Sequence, residues 1–185
     1  VAVGCGLLSK YTAFFFGAQI LLWLLIVKDL RRWFASPWPY LGGLVAFAVF
    51  SPVILWNADH QWVSFIKQLG RARVDGLSLK YLGELLPAQF AFATPSVFIL
   101  GVLGLVAIAR RKVAAAAGPA LISISIWTLL LYFTWHSLHS RVEANWLGPV
   151  YPAFAIAAAV AAWDTQWSAR TQRLAVASRR WALPI

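Results

Sequence analysis

The sequence predicts an all-α fold: a polytopic transmembrane helical bundle of about five spans plus a partial one, with amphipathic interfacial helices on its outer face. Three observations predict it. The chain of 185 residues is 61% hydrophobic and only 12% charged, where a soluble domain has about 25% charged residues. Its apolar residues gather into runs that reach or approach the roughly 20 residues a helix needs to cross a bilayer. Its basic residues punctuate those runs instead of covering one face, as positive-inside topology requires. The formal charge of +10 is therefore a topology signal, and no nucleic acid is expected as a partner.

The elements follow in order. Val1–Leu8 reads as the tail of an earlier helix, or as an extension of the first run through Lys10. The apolar runs are about Tyr11–Val27, Tyr40–Trp56, Ala88–Ala109, Val113–Trp135 and Leu147–Trp163. The first two are short and call for snorkelling flanks or a thinned bilayer. Pro95 and Pro119 lie inside runs and are candidate kinks. Gly101 and Gly104 offer a close-packing face. The loop Asn57–Pro87 carries an amphipathic helix, with Trp62, Phe65, Ile66 and Leu69 on one face and Ser64, Lys67, Gln68 and Arg71 on the other. A second is expected at Leu77–Leu86, with Leu82, Leu85 and Leu86 facing lipid or protein, after the turn pair Asp75-Gly76. The Ala-rich patches Ala114–Ala117 and Ala157–Ala162 read as tight helix packing, and so does the single cysteine, Cys5. Residues 1–163 form the expected transmembrane domain and 164–185 a basic cytoplasmic tail. The chain opens on Val1, contains no Met and has no charged segment before its first run. It is therefore expected to be a piece of a longer protein.

Successive spans alternate direction. Three basic segments then fall on one side: Lys28, Arg31 and Arg32; Arg110, Arg111 and Lys112; Arg170, Arg173, Arg179 and Arg180. That side is the cytoplasm by the Lys/Arg rule. Ser9-Lys10-Tyr11, the loop Asn57–Pro87 and His136–Trp146 fall opposite, so the side chains most able to do chemistry converge on the outer face.

Each of these groups has a plain reading and a chemical one. Lys10 is a snorkelling lysine, or an ammonium holding a phosphate. Asn57, Asp59, His60 and Gln61, framed by Trp56 and Trp62, form an aromatic-belted turn or helix cap. The same residues would also suit a sugar or headgroup pocket, where rings stack on aromatics and amides bond hydroxyls. His136, His139 and Glu143 would share a helix face, as two His and a carboxylate can in a metal site, although Ser137 and Ser140 suit a solvated turn equally. Arg141 pairs with Glu143 at the surface, or clamps a phosphate. No pair of outer carboxylates suited to sugar hydrolysis stands out.

Three segments together resemble one family. Gly6-Leu7-Leu8-Ser9-Lys10-Tyr11-Thr12 is similar to the "GLA-x-LSKYTA" segment of bacterial membrane glycosyltransferases. Pro52–Asn57, with His60, Trp62 and Ser64-Phe65, resembles "PVL-x-WN…W-x-SF". Arg141–Trp146, with Pro149 and Tyr151-Pro152, resembles "R-x-x-x-NW-x-x-x-YP". The family is the glycosyltransferase family 39 group, relatives of protein O-mannosyltransferases and of the aminoarabinose transferase acting on lipid A. The resemblance spans about Gly6–Ala158. It implies a GT-C-like fold and transfer of a sugar from a polyprenyl-phosphate carrier to a lipid or protein acceptor. The expected location is a bacterial inner membrane, with the site facing the periplasm.

The resemblance also implies phosphate or headgroup binding by Lys10 and Arg141, and a pocket built from Tyr11, Asn57, His60, Trp62, Glu143, Asn145 and Trp146. The family's acidic outer loop has no match here, so the catalytic base is expected outside this stretch, with Asp59 the nearest substitute. The expected donor is a polyprenyl-phosphate sugar, with membrane lipid as a partner; a divalent metal is not expected. The alternatives are a transporter or flippase for a lipid-linked substrate, which would place charges at mid-membrane, and a non-catalytic membrane scaffold.

Overall fold

The structure, a computed structural model, describes residues 1–71, 76–110, 116–164 and 166–182. Asp75, Arg111, Lys112 and Val113–Ala115 lie outside the described residues, as do the side chains of Leu69 and Arg71. The described residues form helices and turns, with no strand among them. The helices are α1 (Ala2–Ser9), α2 (Phe14–Ile26), α3 (Trp38–Asp59), α4 (Val63–Arg71), α5 (Lys80–Phe92), α6 (Pro95–Arg110), α7 (Ala117–Ser137), α8 (Tyr151–Trp163) and α9 (Ala169–Ala182). Tighter 3-10 turns run through Tyr11–Ala13, Lys28–Ala35 and Ala144–Val150.

Three stretches, Trp38–Asp59, Ala117–Ser137 and Ala144–Trp163, are long and apolar enough to cross a membrane, or up to five if two sharply bent helix pairs each count as one span. The chain is thus a helical membrane bundle of the class its composition predicts. α3, at 22 residues, is longer than the run Tyr40–Trp56. At about 1.5 Å per residue it covers about 33 Å, so it needs no thinned bilayer.

Two other expectations change. The run Ala88–Ala109 is not one continuous helix: α5 and α6 meet at a bend of 104°. Pro95 disfavours the helical conformation at Thr94, which takes a left-handed φ of 59°, while Pro95 itself opens α6 where its missing N–H costs nothing. Ala88–Phe92 thereby belong to α5, an amphipathic helix longer than Leu77–Leu86, in which Leu85 is buried and Leu86 exposed. Pro119 falls in the first turn of α7, so it produces no kink. At the start of the chain, α1 stops at Ser9 and Lys10 takes an extended conformation. A 3-10 turn then leads into α2.

The tightest contact lies between α6 and α8. A Cβ at Gly104 would run into the backbone of Ala157, and one at Gly101 into the Phe154 ring. Small residues let the two backbones approach, which is what association in an apolar medium needs. Gly4 does the same for α1 on α3, where a Cβ would lie 2.7 Å from the Cβ of Val49. Between α2 and α7 the contact is polar. Gln19, 2% exposed, donates to Thr128 Oγ1 at 2.9 Å and to the Ser125 carbonyl at 3.2 Å. Cys5 is exposed on α1 rather than packed.

Hydrogen bonds mark two ends of the bundle. At one, Lys10 Nζ donates to the Asn145 carbonyl at 3.1 Å, Gln89 Nε2 to the Ala144 carbonyl at 3.0 Å, and the Ser78 amide to the Leu138 carbonyl at 2.8 Å. At the other, Trp23 Nε1 donates to the Ala117 carbonyl at 2.7 Å, and the basic segment Lys28–Ala35 turns away from α2 by 112°. The segment expected as a basic tail forms α9 here. Ala175 and Ser178 are buried, and the Arg179 guanidinium sits 5.0 Å from the Trp163 ring. Exposed Trp33, Trp38, Trp163 and Trp181 ring this basic end, and Trp56, Trp62 and Trp135 the other. Such paired belts mark membrane interfaces.

Candidate functional site

A cavity of about 200 Å³ opens at the Lys10 end, lined by Lys10, Tyr11, Thr12, Phe15, Gln68, Tyr132, Phe133, His136 and Trp146. Five elements build it. The break between α1 and α2 carries Lys10, Tyr11 and Thr12; α2 contributes Phe15; α4 brings Gln68; the last turns of α7 bring Tyr132, Phe133 and His136; the 3-10 turn after the Arg141 loop brings Trp146. The Lys10–Asn145 bond ties the first of these to the last. An ammonium has three donors, and one is engaged by that carbonyl, so Lys10 can still offer charge to an anion.

The walls are mainly aromatic. Tyr11 packs on Phe65 at 5.5 Å and edge-on to Phe50 at 6.3 Å. Phe15 lies 4.9 Å from Tyr132. His136 stacks on Tyr132 at 5.9 Å and lies 6.0 Å from Trp146. His136 is 3% exposed, and its Nε2 has no hydrogen-bond partner among the described residues. A polar atom buried in that way costs about 1–3 kcal/mol.

Of the residues predicted from sequence, the structure brings Lys10, Tyr11, Trp146 and His136 to the cavity; the others are placed elsewhere. Asn57 is fully buried. Its Nδ2 donates to the Val53 carbonyl at 2.8 Å and its Oδ1 accepts from the Ser64 amide at 3.1 Å. It thus joins α3 to α4 across a turn in which Gln61 and Trp62 are left-handed. His60 stacks on Trp56 at 4.1 Å, with Nδ1 2.7 Å from the Trp56 carbonyl oxygen. Trp62, Asp59, Glu143 and the Asn145 side chain are exposed. Arg141 pairs with Glu84, Nε to Oε2 at 3.5 Å, and not with Glu143; both partners are about half exposed or more. His139 Nδ1 lies 2.9 Å from the Trp135 carbonyl oxygen. Among the described residues no three His, Cys, Asp or Glu side chains come together as a metal-holding group.

Sequence reasoning missed Thr12, Phe15, Gln68, Tyr132 and Phe133, because each lies in an unremarkable apolar or amphipathic run. It also missed Gln89, 8% exposed, which accepts from the Tyr151 hydroxyl at 2.6 Å. Gln89 and Tyr151 belong to a second, apolar groove of about 470 Å³ between α5, α6, α7 and α8. Leu130, Leu131 and Thr134 of α7 face this groove, while Tyr132, Phe133 and His136 face the Lys10 cavity.

Spanning helices, two aromatic belts and a cation at the mouth of an aromatic cavity define a helical integral membrane protein with an aromatic-walled cavity at one end. Residues 1–56 match the dolichyl-phosphate-mannose-protein mannosyltransferase family, which supports a membrane glycosyltransferase. The matched stretch includes Lys10, Tyr11, Thr12 and Phe15 of the cavity and stops short of α4 and the Arg141 loop. No curated protein and no solved structure matches the chain.

Proposed function

We propose that this chain is part of an integral-membrane glycosyltransferase. It would move a sugar from a polyprenyl-phosphate carrier to a lipid or protein acceptor at the Lys10 end of the bundle, on the periplasmic side of a bacterial inner membrane. One observation carries the reading: within the stretch that matches a mannosyltransferase family, Lys10 stands at an aromatic cavity of sugar-ring size. Departure of a lipid phosphate builds negative charge on its oxygens, and a fixed ammonium stabilises it. Aromatic walls receive the C–H faces of a pyranose. The groove on the other face of α7 offers an apolar chain a place in the same part of the bundle.

Activation of the acceptor hydroxyl needs a carboxylate or imidazole base. Asp59 and Glu143 are exposed and line neither cavity. The polar pair between α2 and α7, Gln19 and Thr128, is neutral and mutually bonded. It offers no charged path of the kind a transporter would use.

The test is transfer by the intact protein in lipid vesicles, with polyprenyl-phosphate mannose as donor. Lys10→Ala should lower transfer about ten- to a hundredfold, the equivalent of about 1.4–2.8 kcal/mol, with Lys10→Arg milder because it keeps the charge. Parental rates from a well-folded Lys10→Ala protein would make Lys10 a snorkelling lysine and remove the main support for the reading.

A further inference from the structure

At the basic end, α9 is held to the bundle through small residues. Its buried positions are Ala175 and Ser178, and Ala175 shares an apolar cluster with Leu100 of α6 and with Ala158 and Ala161 of α8. Arg179 closes the edge of this contact, donating to the Ala162 carbonyl at 3.5 Å and lying against Trp163. The opposite face is basic. Arg173 and Arg180 stand two turns apart, with Arg170 one turn before Arg173, so the three form a stripe about 15 Å long. All three are exposed, and among the described residues no carboxylate pairs with them. α9 contains no Asp or Glu, and the nearest acid in the chain, Asp164, is buried. Leu174 and Trp181, also two turns apart, form an exposed apolar edge beside the stripe.

We propose that this stripe docks on the anionic lipid headgroups of the leaflet at the basic end, with Leu174 and Trp181 entering the boundary between headgroups and chains. The inference is independent of the glycosyltransferase reading and needs only the membrane bundle. Three observations carry it. The first is charge complementarity: like charges one turn apart on a helix repel, and an anionic surface removes that cost for Arg170 and Arg173. The second is position. Exposed Trp33, Trp38, Trp163 and Trp181 mark this end as a membrane interface, so headgroups are the anions closest to α9. The third is the apolar edge. A helix with arginines on one face and a Trp and a Leu beside them binds at a lipid surface, whereas an acidic soluble partner would match the charge and leave the tryptophans unexplained. Because small side chains hold α9 to the bundle, headgroup contact would also help to keep it in place.

The experiment places the intact protein in phosphatidylcholine bilayers containing a trace of spin-labelled phosphatidylglycerol or spin-labelled phosphatidylcholine. Electron paramagnetic resonance then measures how much of each label the protein immobilises. The wild-type protein should hold phosphatidylglycerol in preference at low salt. The preference should fade toward 1 M salt, where charges are screened within about 3 Å. A combined Arg170→Gln, Arg173→Gln and Arg180→Gln variant should lose most of the preference, at several-fold per arginine. Lys at the same three positions should retain it. Lys28→Gln, Arg31→Gln and Arg32→Gln together remove the same charge from the same end and should cost less. In neutral detergent the α9 Gln variant should melt at the parental temperature, since the three side chains are exposed.

A wild-type protein with no preference, or a preference that survives the α9 Gln variant, would overturn the proposal. Equal losses from the two triple variants would assign the effect to the net charge of that end and not to the stripe. Misfolding or early melting of the α9 Gln variant would make the arginines part of the fold and also count against docking. Binding of a soluble oligoglutamate through α9, undiminished by phosphatidylglycerol in the bilayer, would make the stripe a protein-docking surface instead.

Discussion

Lys10 owes its place to the interruption of a helix. Had α1 run on into α2, residue 10 would lie on a helix flank. Its extended backbone instead carries the side chain across to Asn145, 135 positions away in the chain. Asn57 shows the opposite economy: a polar residue between two tryptophans, expected in a pocket, is used up inside the fold. Asn57→Ala removes both of its bonds and leaves the Ser64 amide and the Val53 carbonyl to find other partners. It should destabilise the protein by about 1–3 kcal/mol, seen as a lower melting temperature in detergent. Arg141 is a surface residue with a surface partner, and such pairs are worth about 0–1 kcal/mol. Arg141→Ala and Glu84→Ala should therefore each leave the melting temperature nearly unchanged. If Arg141 also contacts the lipid phosphate, as the family resemblance implies, only Arg141→Ala should reduce transfer, by about tenfold or more. Equal effects of the two variants on transfer would reduce Arg141 to its ion pair. That Lys10 and Trp146 would stand near one another at one end was legible because charged and aromatic groups at a span's end are conspicuous, and both line the cavity. His136 was legible only as a candidate metal ligand, since nothing in a sequence shows that a nitrogen will be buried without a partner.

Among the elements, the α6–α8 contact makes the sharpest demand on sequence. Gly104 faces the backbone of Ala157, which can move only if the helices part, whereas Gly101 faces the ring of Phe154, which can rotate. Gly104→Ala should therefore destabilise by about 1–3 kcal/mol as an overpacked contact, and Gly101→Ala by less. Gly17→Ala, in α2 with nothing within 4 Å, should be neutral or mildly stabilising by helix propensity. Thermal unfolding of the three variants side by side checks the order, and a Gly104→Ala protein as stable as Gly17→Ala would contradict the close approach. The spans themselves were legible from hydropathy, because apolar runs have few alternatives in a bilayer. The break between α5 and α6 was legible only as a candidate kink at Pro95, because the rest of Ala88–Ala109 is largely apolar and gives no other local signal. The helix at Val63–Arg71 was legible from its periodicity. That Phe65 turns inward to Tyr11 while Ile66 stays exposed depends on α3, which hydropathy does not place.

On the scale of the whole molecule, two ends with different chemistry face each other across the spans. Lys28, Arg110 and Arg170 belong to the basic end and Lys67 and Arg141 to the cavity end. Single cysteines at these positions in a Cys5→Ser background should react with an impermeant thiol reagent from opposite sides of the membrane, positions 67 and 141 from the periplasmic side. Labelling of positions 110 and 141 from the same side would break the alternation on which the convergence of polar groups depends. The central claim is narrower: the cavity between the α1–α2 break, α7 and Trp146 receives the headgroup of a lipid-linked sugar. A polyprenyl-phosphate sugar carrying a photoreactive group on its sugar tests this most directly, with cross-linked peptides of the intact protein mapped by mass spectrometry. The account predicts cross-links to Tyr11, Tyr132 and Trp146 that excess unlabelled lipid-linked sugar suppresses and Lys10→Ala weakens. Cross-links confined to the basic end, or indifferent to competitor and to Lys10, would contradict it.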